Sequence, residues 1–153
     1  MLYHDAGLAW LHFVFAFVLV GAIVAELFML RLKVSAEVAL RILRADLFYG
    51  IASVALILAG ASRVLWGAKG WAFYSAEPFF WAKMGTFVVI GLLSILPTMS
   101  FLRWAKVAKA DAAFVAPEAE VKAARRWVTI EVHLLALLLL FASLMARGIG
   151  QAG

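Results

Sequence analysis

Two ionisable side chains lie inside apolar segments that are long enough to cross a bilayer. Lys83 lies about four residues into the run Phe79–Leu102, and His12 lies at a similar depth in the run Leu8–Leu30. An ionisable group at membrane depth costs roughly 2.5–3.5 kcal/mol and is usually retained for a partner or a function. A histidine and a lysine at matching depth on two helices therefore predict a shared site.

The chemistry that this pair suits is haem binding. Imidazole is a common axial ligand of haem iron, and the amine of Lys83 can serve as the second ligand when it is neutral. A charged Lys83 can instead pair with a haem propionate. The structural alternatives are that His12 only hydrogen-bonds a neighbouring helix and that Lys83 snorkels to the membrane surface.

The composition defines the elements that must position these residues. The chain has 153 residues, of which 67% are hydrophobic, and its mean hydropathy is +1.02, whereas soluble domains are about 45–50% apolar. The absence of cysteine excludes disulfides, thiolate ligands and iron–sulfur clusters. We therefore predict an all-α, integral membrane four-helix bundle, a single transmembrane domain (residues 1–153) with helices at about 8–30, 46–66, 79–102 and 127–146.

The basic residues predict the orientation in the membrane. Ten Lys and Arg residues lie in the connections after the first and third spans, and only Arg63, Lys69 and Arg147 flank the spans on the other side. By the positive-inside rule both connections are cytoplasmic. The prediction is a multi-pass protein of the bacterial inner membrane with both termini periplasmic. A basic amphipathic stretch, Ala36–Arg44, can extend the second helix on the cytoplasmic side. The positive charge indicates topology and not a nucleic-acid partner.

Three carboxylates, Glu26, Asp46 and Glu131, lie toward the cytoplasmic side of the spans. His12 and Glu26 are fourteen residues apart, close to four helical turns, so they share one face. We expect that face to point into the bundle. The three carboxylates are candidates for a proton relay.

The alternative for these carboxylates is structural. Glu26 can pair with Arg44, and Glu131 can pair with Arg126. His133 lies about 200° around the helix from Glu131, so the two cannot enter the same pocket. We expect His133 to be a packed or hydrogen-bonded histidine.

Three segments carry a resemblance to a known family. In order, LAWLHFVFAFVLVGAIVAELFML, FFWAKMGTFVVIGLL and ARRWVTIEVH resemble the HemJ-type membrane protoporphyrinogen oxidases, which are related to the CopD-like group. The resemblance implies a four-helix bundle in which His12 and Lys83 bind haem b. Helix 4 departs from the family, because it has Thr-Ile-Glu-Val-His at 129–133 where the oxidases have Asn-Glu-x-Pro. The segment Gly67–Lys83, with its GAKG, FY and PFFWAK motifs, is more similar to a family of uncharacterised bacterial four-helix membrane proteins.

These observations predict a membrane b-type haem-binding redox protein that resembles an oxidase and acts on a porphyrin-like or quinone-like small molecule. The alternative is a non-catalytic accessory or structural subunit of a larger membrane complex, in which the polar residues join the helices and small-residue faces dock a partner. A third hypothesis is a small transporter, in which a homo-oligomer supplies the pathway for the transported substrate.

Overall fold

Four long helices and one short helix make up the described part of the chain. The computed structural model describes residues 2–67 and 70–149. The helices α1, α2, α4 and α5 are each long and apolar enough to cross a membrane. This confirms the predicted class, a helical membrane bundle. In chain order the helices are α1 (Leu2–Met29), α2 (Ala36–Trp66), α3 (Gly70–Ala76), α4 (Pro78–Ala110) and α5 (Glu118–Ala146).

The long helices extend past the predicted spans, mostly at one end of the bundle. The amphipathic stretch Ala36–Arg44 forms the first turns of α2, while α4 continues to Ala110 and α5 begins at Glu118. Hydropathy marks only the segment that contacts lipid, so it missed turns whose outer faces are charged. We call this end, where α1 joins α2 and α4 joins α5, the basic end. The opposite end, with α3, is the aromatic end.

Local sequence explains where two of the long helices begin. The hydroxyl of Ser35 accepts a hydrogen bond from the backbone N–H of Val38 at 3.4 Å and so caps α2, while Glu37 places an acid in its first turn. Both features satisfy or complement the free N–H groups at a helix start. Pro78 occupies the start of α4, where its fixed φ suits a helix and its missing N–H loses no bond.

The basic end is closed by packing between α4 and the two connecting segments. The backbone N–H of Ala116 donates to the carbonyl of Val34 at 2.9 Å, which joins the two connections. Phe101 and Trp104 are buried beneath them. The indole N–H of Trp104 donates to Glu120 of α5 at 2.7 Å. The bundle therefore extends beyond its apolar spans as a folded cap with charged outer faces.

At the aromatic end, the segment predicted as a loop between the second and third spans contains α3. Trp71 of this helix lies edge-on to Phe80 and Trp81 of α4, with ring centroids 6.4 and 6.2 Å apart. The indole N–H of Trp81 donates to the carbonyl of Ser75 at 3.0 Å. These ring contacts hold α3 against the start of α4, and this arrangement forms one wall of the site described next.

Candidate functional site

A cavity of about 720 Å³ at the aromatic end is lined by all five helices. His12 reaches it from α1, Arg63 from α2 and Lys83 from α4. The structure thus brings together the two residues that the sequence predicted as a pair, and it adds a third. We call this space the aromatic-end cavity.

His12 lies on the inward face of α1, as its spacing from Glu26 predicted. Leu19, Ile23 and Glu26 on the same face are each no more than 2% exposed. The imidazole of His12 is half-buried against α2, and its Nδ1 atom is buried with no hydrogen-bond partner. The backbone of Leu56 on α2 nevertheless contributes a hydrogen bond to the imidazole, which is the contact that the structural alternative for His12 predicts.

Lys83 and Arg63 supply positive charge to the cavity without acidic partners. Both side chains are half-buried. The Nζ atom of Lys83 lies 5.6 Å from the ring centroid of Phe80, a cation–π distance. The Nε atom of Arg63 is buried with no hydrogen-bond partner. Among residues 2–67 and 70–149, neither cation forms a salt bridge, and no Asp or Glu lines the cavity.

The rest of the cavity lining is aromatic and aliphatic. Trp71, Phe73 and Tyr74 of α3 lie on one side, and Leu138 and Leu139 of α5 lie on the other. Pockets of roughly 300–1,000 Å³ with apolar walls and a few convergent polar groups are typical of small-molecule sites. This cavity can accept a ligand that combines an apolar body with negative charge.

The carboxylates Glu26, Asp46 and Glu131 also come together, at the level where α1 ends near the basic end. All three are buried, at 2%, 9% and 1% exposure. Each interacts electrostatically with at least one other member of the group. We call them the carboxylate cluster.

Two hydroxyl groups contact the cluster. The Tyr49 hydroxyl donates to Glu131 at 3.2 Å, and the Thr98 hydroxyl donates to Asp46 at 2.8 Å. One oxygen of Glu26 and one of Glu131 are buried with no hydrogen-bond partner. A buried carboxylate that lacks a cation or enough hydrogen bonds is costly when charged.

The expected structural ion pairs are absent from the described residues. Glu26 does not pair with Arg44, and Glu131 does not pair with Arg126; the salt bridges present join exposed groups elsewhere. The reason is geometric, because the inward faces of α1 and α5 carry the carboxylates while Arg44 and Arg126 are exposed. His133 is also exposed, and its Nδ1 lies 2.7 Å from the carbonyl of Thr129. This confirms it as a hydrogen-bonded histidine.

Sequence reasoning missed two contributors to these polar groups. Arg63 was placed just above His12 and Lys83 but was not included in the site, although its fourteen-residue spacing from the buried Tyr49 places both on one face of α2. Thr98 carries no sequence signal, because threonine is common in membrane helices and bonds its own backbone. Among the described residues, no three His, Cys, Asp or Glu side chains are placed to hold a metal ion together.

Comparison with known proteins gives a family for the chain. The model of the DUF2214 family, described as a predicted membrane protein, matches residues 4–150. No curated protein and no solved structure matches, and nothing in these comparisons supports the resemblance to HemJ-type oxidases or CopD-like proteins. The match covers nearly the whole chain and agrees with the four apolar helices. The protein is therefore a multi-pass membrane protein that belongs to the DUF2214 family.

Proposed function

We propose that this protein binds haem b in the aromatic-end cavity and acts as a redox protein of the bacterial inner membrane, with both termini in the periplasm. The single observation that carries the proposal is the convergence of His12, Arg63 and Lys83, from three helices, on one cavity with apolar walls and no acidic lining group among the described residues. The resemblance to HemJ-type oxidases, although the comparisons lend it no support, points to an oxidase-like reaction.

The residues present fit haem in three respects. The imidazole of His12 lines the cavity, and imidazole is a common ligand of haem iron. The aromatic and aliphatic walls suit the faces of a porphyrin. Two cations without acidic partners suit the two propionates, since charge-assisted hydrogen bonds are the strong ones.

Each residue has a defined task under this proposal. His12 holds the iron, and Arg63 holds one propionate. Lys83, which also lines the cavity, holds the other propionate; its alternative role is that of a second iron ligand. When bound, haem supplies a one-electron redox centre.

Glu26, Asp46 and Glu131 are the proposed proton carriers for a reduced porphyrin-like or quinone-like substrate. They lie toward the basic end and do not line the aromatic-end cavity. Phe87 lines both this cavity and a groove between α2 and α4 that reaches Asp46.

The test is an absorption spectrum of the detergent-purified protein, as isolated and after dithionite. We expect a Soret band that shifts on reduction. His12→Ala should lose the band while the protein still inserts into the membrane. His133→Ala is the matched control and should keep it, because His133 is exposed and bonded within its own helix.

Two results would overturn the proposal. One is the absence of a Soret band even after expression with added haem precursor, which would favour the accessory-subunit alternative. The other is full haem retention in His12→Ala, which would eliminate His12 as the ligand.

A further inference from the structure

The second large concave surface lies between α2 and α4, on the outside of the bundle. This groove has a volume of about 780 Å³ and is lined only by residues of these two helices. We call it the α2–α4 groove. We propose that it binds a lipophilic monovalent cation, with the apolar body in the groove and the charge at Asp46. This inference goes beyond the redox function and does not depend on it.

The shape and lining of the groove suit an apolar molecule that enters from the bilayer. Leu47, Val54 and Leu58 line it and are each about 60% exposed, so the groove opens onto the lipid-facing surface. A Cβ atom at Gly50 or Gly91 would have no heavy atom within 4 Å. These two glycines therefore leave room between the helices.

One end of the groove is acidic and has no cationic partner among the described residues. Asp46 lines the groove, and behind it lie Glu26 of α1 and Glu131 of α5. Two carboxylate oxygens of the glutamates are buried with no partner. No Lys, Arg or His among the described residues forms a salt bridge with any of the three. A cation in the groove would give the Asp46 carboxylate the positive partner that it lacks.

The other groups that face the cluster cannot neutralise it. Tyr49 of α2 donates its hydroxyl to Glu131, and Thr98 of α4 donates its hydroxyl to Asp46. Each hydroxyl has one proton to donate, and each is already used. Besides Asp46 itself, the ionisable groups that meet here are therefore Glu26, Tyr49 and Glu131, all acids.

An organic cation fits better than a metal ion. Hard divalent cations need six or more oxygen ligands, and the described residues hold no set of three side chains suited to a metal. The lining is mostly Leu, Ile, Val and Ala, with the hydroxyls of Ser53 and Ser94. A molecule with an apolar body and one positive charge matches both the lining and the cluster.

The experiment measures equilibrium binding of tetraphenylphosphonium to the purified full-length protein in nanodiscs made of uncharged lipid. Tetraphenylborate is the matched probe, with nearly the same shape and the opposite charge. We expect Asp46→Asn to weaken tetraphenylphosphonium binding at least tenfold. Gly50→Leu and Gly91→Leu should weaken tetraphenylphosphonium binding similarly, because the leucine side chains fill the groove. Comparison of these variants with Asp46→Asn distinguishes loss of space from loss of charge.

The matched control is Glu37→Gln. Glu37 is an acid on the same helix, but it is exposed and paired with Arg41, so its loss should leave binding unchanged. Binding of wild-type protein should also weaken on acidification, because protons then compete with the cation for Asp46. Size-exclusion profiles establish that each variant is folded.

The proposal is overturned if Asp46→Asn and both leucine variants bind tetraphenylphosphonium as wild type does. It is also overturned if tetraphenylborate binds equally well and competes for the same site, because the groove would then hold lipid acyl chains or other apolar matter without regard to charge. The proposal is likewise overturned if tetraphenylphosphonium shows no saturable binding to the wild-type protein.

Discussion

Gly60 of α2 lies directly against the imidazole of His12 of α1. A Cβ atom at Gly60 would be 3.5 Å from the Cε1 atom of His12 and 3.7 Å from its Nδ1 atom. These are ordinary van der Waals distances, so one methyl group fits without displacing the imidazole. The position of the imidazole in the aromatic-end cavity thus depends on a small residue on the facing helix.

We expect Gly60→Ala to retain bound haem and Gly60→Leu to lose most of it, because a leucine side chain displaces the imidazole. The measurement is the haem-to-protein ratio after purification. Gly50→Leu is the control, since Gly50 is on the same helix and does not line the cavity. Equal haem content in all three variants would contradict the assignment of His12.

Arg63 and Lys83 give a second prediction, because their proposed partners are the propionates. Arg63→Met and Lys83→Met should each weaken hemin binding on the order of tenfold, equivalent to about 1.4 kcal/mol, which is near the lower end for a charge-assisted hydrogen bond. Neither variant should weaken binding of hemin dimethyl ester, in which both propionates are esterified and carry no negative charge. Hemin titrations followed at the Soret band measure both ligands.

If Lys83→Met weakens hemin and ester alike, Lys83 contacts the iron or the ring and not a propionate. Its alternative role as the second iron ligand would then be supported. If neither variant changes the affinity for hemin, the cations do not take part in the site.

The hydrogen bond from Tyr49 to Glu131 predicts a stability effect. Tyr49→Phe leaves both oxygens of Glu131 without a partner, because the other oxygen already lacks one. Loss of a hydrogen bond to a buried acceptor costs about 1–3 kcal/mol. Unfolding of the protein in mixed micelles should therefore begin at lower denaturant for this variant.

The matched comparison is a double-mutant cycle with Glu131→Gln. Tyr49→Phe should cost less in the Glu131→Gln background, because the amide makes a weaker acceptor than a carboxylate. Additive effects of the two substitutions would contradict a direct bond between these side chains.

The orientation in the membrane can be tested with single cysteines, because the chain has none of its own. Ala76 and Ala113 are exposed at the aromatic and basic ends respectively. In spheroplasts, a membrane-impermeant maleimide should label Ala76→Cys. It should label Ala113→Cys only after the spheroplasts are lysed. The reverse pattern would place both termini in the cytoplasm.

Much of the fold could be predicted from the amino-acid sequence, because membrane spans are a property of local composition. Four apolar runs of adequate length predict four spanning helices whatever their partners are. The fourteen-residue spacing of His12 and Glu26 likewise predicts one buried face, because helical periodicity is local. The family match agrees with this level of description.

The sequence was less informative where a helix leaves the lipid. The first turns of α2 and α5 and the last turns of α4 have charged outer faces, so hydropathy does not mark them. The short helix α3 has only seven residues, too few for a periodic signal, and contacts between its rings and α4 stabilise it.

Partners across helices were decided by the tertiary structure alone. Matching depth indicated that His12 and Lys83 lie at one level, but only packing shows that Arg63 joins them and that no acid in the described part of the chain does. Depth also suggested ion pairs for Glu26 and Glu131, yet the bundle turns these carboxylates toward each other and leaves Arg44 and Arg126 exposed. Depth and periodicity follow from one helix, whereas the azimuth of one helix relative to the next depends on how all the side chains pack.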